Sequence, residues 1–169
     1  YVLHKLATEI VGTDNYTTTD TFSLKSFFNN LGSPLATHRD IRYAKTIVLI
    51  GGEPEELQPF TGKQIRQAVR NGGAKLAIVN SVRIRLTEQA SQFVHIRPGT
   101  EEAIALALGD SANDALAAQK AGIESSEIEA LRQLIANTAG DVVMMFGGEL
   151  GAEAQAVLAQ LGSALANDG

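Results

Sequence analysis

The residues best placed for chemistry follow an apolar run that ends in glycine. Gly51-Gly52-Glu53-Pro54 comes directly after residues 46–50, and glycines at such a turn let the backbone approach a ligand closely. The same turn could instead supply only the positive φ that a strand-to-helix connection needs. Glu53, with Glu55 and Glu56 behind it, would repel a pyrophosphate. The turn is therefore a candidate ligand edge that carries the wrong charge for phosphate.

A second turn repeats this pattern later in the chain. Val48-Leu-Ile-Gly-Gly-Glu53 and Val143-Met-Met-Phe-Gly-Gly-Glu149 both run from apolar residues into Gly-Gly and then Glu. Two copies so far apart do not make a repeat protein. In open α/β sheets, ligands lie at the carboxyl ends of the strands. We therefore expect both turns on the edge where a ligand would bind.

Familiar catalytic and metal-binding patterns are incomplete in this sequence. Thr61-Gly62-Lys63 superficially suggests a P-loop, but Leu57 stands where its first Gly belongs, and Gln64 replaces the Ser or Thr. Gly148-Glu-Leu-Gly151 is only half of a dinucleotide fingerprint. The three histidines share no metal-ligand spacing, and there is no cysteine. We predict no catalytic residue and no metal ligand in this chain.

Two charged clusters have simple structural interpretations. Lys63, Arg66 and Arg70 recur at helical spacing, which favours a solvated helix face. Glu101-Glu102 begin a predicted helix, where carboxylates suit the helix dipole. Neither cluster adds a ligand to the candidate edge.

The overall composition restricts the class of protein. The chain has 169 residues, enough for one domain with a real core, and its net charge of −5 argues against a nucleic-acid partner. No uncharged apolar run approaches the ~18 residues that span a bilayer. We predict a soluble domain with no direct membrane insertion. The unusual ends suggest an excised fragment of a longer protein.

Strand and helix patterns alternate along the chain. The continuous apolar run at residues 46–50 predicts a strand covered on both faces, and further strands are predicted at residues 75–79, 93–96 and 141–146. Helical patterns lie between them, and Asp40 is the predicted N-cap of a single turn through Ala44. Residues 109–122 are predicted to be partly loop. The alternation predicts an α/β fold, with an open three-layer, mainly parallel sheet and helices on both faces, over residues 1–169.

A longer pattern resembles the molybdopterin oxidoreductase superfamily, which includes formate dehydrogenases, nitrate reductases and the large peripheral-arm subunit of NADH–quinone oxidoreductase (complex I). The pattern consists of these segments: Asp40-Ile-Arg-Tyr-Ala, Gly51-Gly-Glu-Pro54, Gln58-Pro59, Ile65-Arg-Gln-Ala68, Asn71-Gly-Gly-Ala-Lys-Leu76 and Ile96-Arg-Pro-Gly-Thr-Glu-Glu-Ala103. The Ile-Arg-Pro-Gly-Thr segment and the strand–glycine–proline turn are its specific parts. The resemblance implies the fold of domains 1–3 of formate dehydrogenase and DMSO reductase.

The resemblance also implies a set of cofactor contacts. In active members this domain holds the guanosine end of one molybdopterin guanine dinucleotide. Carried over by motif position, the contacts follow the first three strands and fall on Gly51, Glu53, Pro54, Asn80, Ser81, Arg83, Pro98, Gly99 and Thr100. All are strand-end positions, where the switch-point rule places ligands.

Departures from the family pattern indicate that this dinucleotide site is vestigial. The family usually has Asn where this chain has Glu53, and Asp-Pro where it has Asn80-Ser81. Active enzymes carry the molybdenum ligand just after the segment matching residues 12–15. Here residues 16–22 contain no cysteine, and Ser23 is the nearest substitute. We expect an empty cofactor site, as the complex I branch of the family implies.

The preferred hypothesis is therefore a structural domain of the large peripheral-arm subunit of complex I, with no cofactor of its own. The resemblance implies iron–sulfur clusters elsewhere in the parent. It implies as partners the remainder of that large subunit and other peripheral-arm subunits, on the cytoplasmic side of the inner membrane. Two alternatives remain open. One is a domain of a molybdenum-dependent formate dehydrogenase or related oxidoreductase that still holds the dinucleotide, and the other is a free-standing module with a vestigial nucleotide site.

Overall fold

A four-stranded parallel sheet forms the centre of the computed structural model, which describes residues 2–15, 23–138 and 141–167. The strands are β1 (Thr46–Ile50), β2 (Lys75–Asn80), β3 (Gln92–His95) and β4 (Val142–Phe146). Their order is β3-β2-β1-β4, and every pair is parallel. The predicted parallel α/β sheet is confirmed.

Helices precede, connect and follow these strands. They are α1 (Val2–Lys5), α2 (Lys25–Asn30), α3 (His38–Tyr43), α4 (Pro54–Leu57), α5 (Pro59–Gly72), α6 (Glu101–Gly109), α7 (Asp114–Ala121), α8 (Ser125–Ala136) and α9 (Ala152–Asn167). Helix α1 continues as a π-helical segment at Leu6–Val11, and 3-10 turns lie at Arg85–Gln89 and Ser111–Asn113.

The two faces of the sheet are buried in two separate apolar clusters. Val48 and Ile50 of β1 face helices α6 to α9, whereas Ile47 and Leu49 face α3 and α5. All five residues of β1 are buried, because successive side chains on a strand point to opposite faces and helices cover both. The layers are thus helix, sheet and helix, as predicted.

The strand order creates a switch point beside β1. From β1 the chain moves to β2 and then β3 on one side, and later returns to place β4 on the other side. Ile50 pairs with Phe146 across this boundary, so β1 and β4 end at the same level. Because crevices form where connections leave in opposite directions, the ends of β1 and β4 are the expected ligand edge.

One local prediction is wrong. Thr37, not Asp40, is the N-cap of α3, and Asp40 is the third helical residue of a complete capping box. The Thr37 N–H and hydroxyl both donate to Asp40 Oδ2, each at 2.7 Å. The Ala-rich stretch at residues 109–122, predicted to be partly loop, combines a break after α6, the 3-10 turn at Ser111–Asn113 and the helix α7.

Candidate functional site

The turn after β1 contains two glycines in the left-handed conformation. Gly51 and Gly52 adopt φ of 64° and 67°, and the Gly51 N–H donates to the carbonyl of Val79 at 2.8 Å. A side chain would be strained at either φ, which is why glycine stands at both positions. Glu53 then precedes α4, and Pro54 is buried at the first helical position. The turn brings the Gly52 backbone and the Glu53 side chain to the edge of the sheet.

The matching turn after β4 lies directly beside it. The Gly147 N–H donates to the carbonyl of Ile50 at 2.9 Å, so β4 continues the ladder by one residue. Glu149 then turns back toward β1, and its Oε1 accepts the Gly52 N–H at 3.2 Å. A Cβ at Gly51 would lie 2.7 Å from Glu149 Oε2. The carboxylate therefore rests over the glycine turn and takes a backbone donor that an anion could otherwise use.

The end of β2 is fixed by one buried amide. Asn80 Nδ2 donates to the carbonyl of Gly52 at 3.0 Å, and Asn80 Oδ1 accepts the Val82 N–H at 3.1 Å. Both ends of the amide are therefore engaged with backbone, tying the β1 and β2 turns together. His95 Nε2 donates to the Ser81 carbonyl at 3.0 Å, which links the ends of β2 and β3. These contacts connect the ends of β1, β2 and β3.

The turn after β3 directs its arginine away from the edge. Arg97 Nη1 lies 3.3 Å from the carbonyl of Gln119 and 3.4 Å from that of Lys120, at the end of α7. Cationic side chains suit the last turn of a helix, where carbonyls lack helical partners. Thr100 donates its hydroxyl to the Arg97 carbonyl at 2.6 Å. Only Pro98 and Gly99 of this turn line the edge.

An acidic cleft of about 480 Å³ lies at the joined strand ends. Its acidic members are Glu53, Glu56, Glu101 and Glu149. Glu56 is bridged by Arg85 at 3.6 Å, on exposed side chains. None of the described residues that line the cleft is cationic. The edge thus presents carboxylates, hydrogen-bonded amides and apolar side chains, but no counter-charge for an anion.

Most of the residues predicted from the sequence come together here, and three do not. Five of them line the cleft: Glu53, Asn80, Ser81, Pro98 and Gly99. Pro54 is buried in α4, Thr100 serves the Arg97 turn, and the Arg83 guanidinium lies over the Phe93 ring, 5.3 Å from its centroid. Gly51 lies beneath Glu149. That these residues once held a dinucleotide stays a prediction.

Sequence reasoning did not assign two carboxylates that the fold places in the cleft. Glu149 is the last residue of the repeated Gly-Gly-Glu pattern, so that repeat was the available signal. Glu101 was explained by the helix dipole alone, and nothing in its local sequence marks its burial at 4% exposure. Within the described ranges, no three His, Asp or Glu side chains cluster as metal ligands would. The predicted metal-ligand position, residues 16–22, lies outside the described residues.

The described helices also bear on membrane contact. Within residues 2–15, 23–138 and 141–167, no helix combines the length and apolarity that crossing a bilayer requires.

Comparison with a solved structure identifies the fold. Acetylene hydratase from Pelobacter acetylenicus superposes with a TM-score of 0.62 and 16% identity, over 83% of this chain and 23% of that chain. At this identity the likeness concerns the fold alone.

Comparison of sequences identifies the family. An assimilatory nitrate reductase from Haloferax mediterranei is 32% identical over 114 residues, covering 64% of this chain and 16% of that protein. A candidate formate dehydrogenase from Staphylococcus aureus is 26% identical over 107 residues, covering 60% and 11%. The chain thus spans less than a fifth of either relative. Residues 1–163 match the molybdopterin oxidoreductase family, to which the chain therefore belongs.

Proposed function

We propose that this chain is a structural domain of an electron-transferring oxidoreductase, whose strand-end edge no longer holds a guanine dinucleotide. The observation that carries the proposal is the Glu149 carboxylate on the Gly52 N–H, inside a cleft shared with Glu53 and Glu101. In the family, the fold binds a dinucleotide at this edge. Here the carboxylates give the same edge a negative charge, which opposes binding of the phosphates.

The described residues do not fit a pyrophosphate at this edge. Like charges about 4 Å apart repel by up to about 4 kcal/mol at an effective dielectric constant of about 20. Solvent weakens this for the exposed Glu149, but Glu101 is buried. The Gly52 N–H, a backbone donor at the cleft, already donates to Glu149. Binding an anion would require displacing one carboxylate and tolerating the others.

Two arginines that follow the neighbouring strands do not compensate for this charge. Arg97 is committed to the carbonyls at the end of α7, and Arg83 packs over Phe93. Phosphate sites in proteins normally combine free backbone N–H groups with cationic side chains. None of the described residues that line the cleft is cationic, and the Gly52 N–H is already bound by Glu149.

The parent that agrees with these features is the large peripheral-arm subunit of NADH:quinone oxidoreductase. In that setting the domain contributes packing, while iron–sulfur clusters in other regions of the same polypeptide carry electrons toward quinone. Its partners are the remainder of that polypeptide and neighbouring peripheral-arm subunits, on the cytoplasmic side of the inner membrane. This assignment derives from the sequence resemblance and is supported by the acidic edge.

Metal and cofactor analysis of the full-length protein from its native source tests the proposal. We expect iron and acid-labile sulfide, no molybdenum, and no guanine nucleotide released on denaturation. Stoichiometric molybdenum or GMP would overturn the scaffold assignment. Calorimetry with GDP adds an independent check. A saturable binding signal that excess pyrophosphate abolishes would contradict an edge that rejects anions.

A dinucleotide-holding domain of a molybdenum-dependent oxidoreductase is the second candidate. It is favoured by the relatives, whose names are those of a nitrate reductase and a formate dehydrogenase. It is also favoured by Gly51 and Gly52, which form a left-handed turn at the switch point. The same metal analysis separates the two, because this candidate requires molybdenum.

A further inference from the structure

The acidic cleft has the chemistry of a docking site for a protein segment that carries arginine. We propose that a guanidinium group, flanked by apolar residues of a neighbouring protein segment, occupies the cleft between Glu101 and Glu149. This proposal names a partner for the proposed scaffold domain. It rests on that proposed function because the cleft must be free of a dinucleotide.

The burial of Glu101 without a partner points to a cationic ligand. Its side chain lines the cleft while the residue is only 4% exposed, and it makes no hydrogen bond or ion pair within the described residues. Its Cγ lies 3.7 Å from the Cβ position of Gly51, over which Glu149 also folds. The dipole of α6 favours a carboxylate at this position but pairs neither oxygen. Carboxylates on residues this deeply buried are normally paired, and a cation held in the cleft would pair Glu101.

The rim of the cleft indicates that the cation arrives on a protein. Leu57 and Val82 line it with 77% and 58% of their surface exposed, and Pro98 adds a third apolar group. Exposed apolar side chains around a charged pocket are typical of protein interfaces, where arginine is an enriched anchor residue. A small diffusible cation would leave these side chains uncovered.

The donor set favours a guanidinium over a metal ion. No group of three or more potential ligand side chains within the described residues is arranged around a common point. Glu149 Oε1 and Asn80 are already engaged with backbone. A planar guanidinium can donate to Glu101 and Glu149 at once, because its N–H groups form a fixed fork that matches carboxylates. Lysine offers only a point charge and matches two carboxylates less well.

Titration of the protein with acetyl-Leu-Arg-Leu-amide, followed by NMR, tests the proposal. We expect saturable shifts at residues of the cleft, and at least about tenfold weaker binding when arginine is replaced by the neutral isostere citrulline. Glu101→Gln should weaken the arginine peptide by a similar factor while keeping the size of the side chain. Glu88→Gln, an exposed glutamate on the 3-10 turn before β3, is the matched control and should bind as the unaltered protein does. Circular dichroism confirms that both variants are folded.

Each other outcome overturns the proposal. No saturable shift up to about 5 mM peptide in folded protein removes the arginine site but leaves the scaffold function intact. Equal binding of the citrulline peptide means that the cleft recognises only apolar surface. Displacement of the peptide by calcium or magnesium alone makes it a metal site. Tight binding of GDP in place of the peptide overturns both this inference and the scaffold function.

Discussion

The two Gly-Gly-Glu turns have the same sequence but opposite roles. Both first glycines donate to the strand beside them, Gly51 to Val79 and Gly147 to Ile50. After β1, both glycines are left-handed and Glu53 opens into the cleft. After β4, neither glycine has positive φ, and Glu149 folds back onto Gly52. One turn forms the edge and the other covers it.

Position in the sheet explains the difference. β1 is central, so its turn must leave between two neighbouring strands before α4 begins. β4 lies at the edge of the sheet, and its turn is free to lean over β1. A carboxylate that leans over a glycine turn satisfies a backbone donor, as a bound phosphate would. The same Gly-Gly-Glu sequence thus forms the ligand edge after β1, whereas after β4 its glutamate lies over that edge.

Breaking the close approach of the two turns should have the largest effect. A Cβ at Gly147 would lie 2.6 Å from the Gly52 nitrogen and against the Glu149 carboxylate. We expect Gly147→Ala to lower the free energy of unfolding by about 2–3 kcal/mol, because the backbone nitrogen cannot yield. Urea denaturation measures this. Gly162→Ala, in open space on α9, is the control and should gain about 0.5–1 kcal/mol. Equal effects of the two changes would contradict the packing described here.

The first turn should respond through its backbone conformation. Gly51→Ala should cost about 1–2 kcal/mol of unfolding free energy, since φ of 64° is strained for alanine. Part of the cost arises from the contact with Glu149 Oε2 at 2.7 Å. In a Glu149→Ala background the penalty should therefore be smaller, and a double-mutant cycle measures that coupling. Strict additivity would mean that Glu149 does not rest on the turn.

Removing the Glu149 carboxylate should increase the affinity of the edge for anions. Glu149→Ala frees the Gly52 N–H and removes one carboxylate, so pyrophosphate should bind about tenfold more tightly in a ³¹P NMR titration. Glu149→Gln removes the charge but keeps an acceptor for the Gly52 N–H, and should give a smaller gain. Glu88→Ala controls for net charge. An unchanged affinity in both Glu149 variants would refute its role in excluding anions.

The capping carboxylate of Asp40 on α3 should give the smallest effect. The backbone N–H and then the hydroxyl of Thr37 hold the pKa of Asp40 below its ordinary value of 3.8. A lowered pKa stabilises the fold above the unfolded-state value, and that stabilisation is lost as pH falls through the folded-state value. Asp40→Asn should therefore be less stable than the parent at neutral pH, with the difference shrinking below pH 3.8. Denaturant midpoints against pH measure this, and a difference that grows on acidification would contradict the capping box.

The same contacts explain how far prediction from the sequence reached. A continuous apolar run identified β1, because burial on both faces leaves no polar alternation. Asn80 was assigned by the family resemblance, and it lies in the same cleft as Glu53 because parallel strands end on one edge. Asp40 was misassigned as an N-cap, since Thr37 and Asp40 are both cap-forming residues three positions apart and share one box.

The sequence by itself determined the layers, the parallel sheet and the acidic glycine turn after β1, since these follow from local periodicity and residue type. Only the tertiary structure decided that Glu149 covers that turn and that Glu101 is buried beside it. Arg83 and Arg97, adjacent in sequence to the edge, are turned away from it by Phe93 and α7. Side-chain direction and long-range strand order are properties of packing, and no local pattern encodes them.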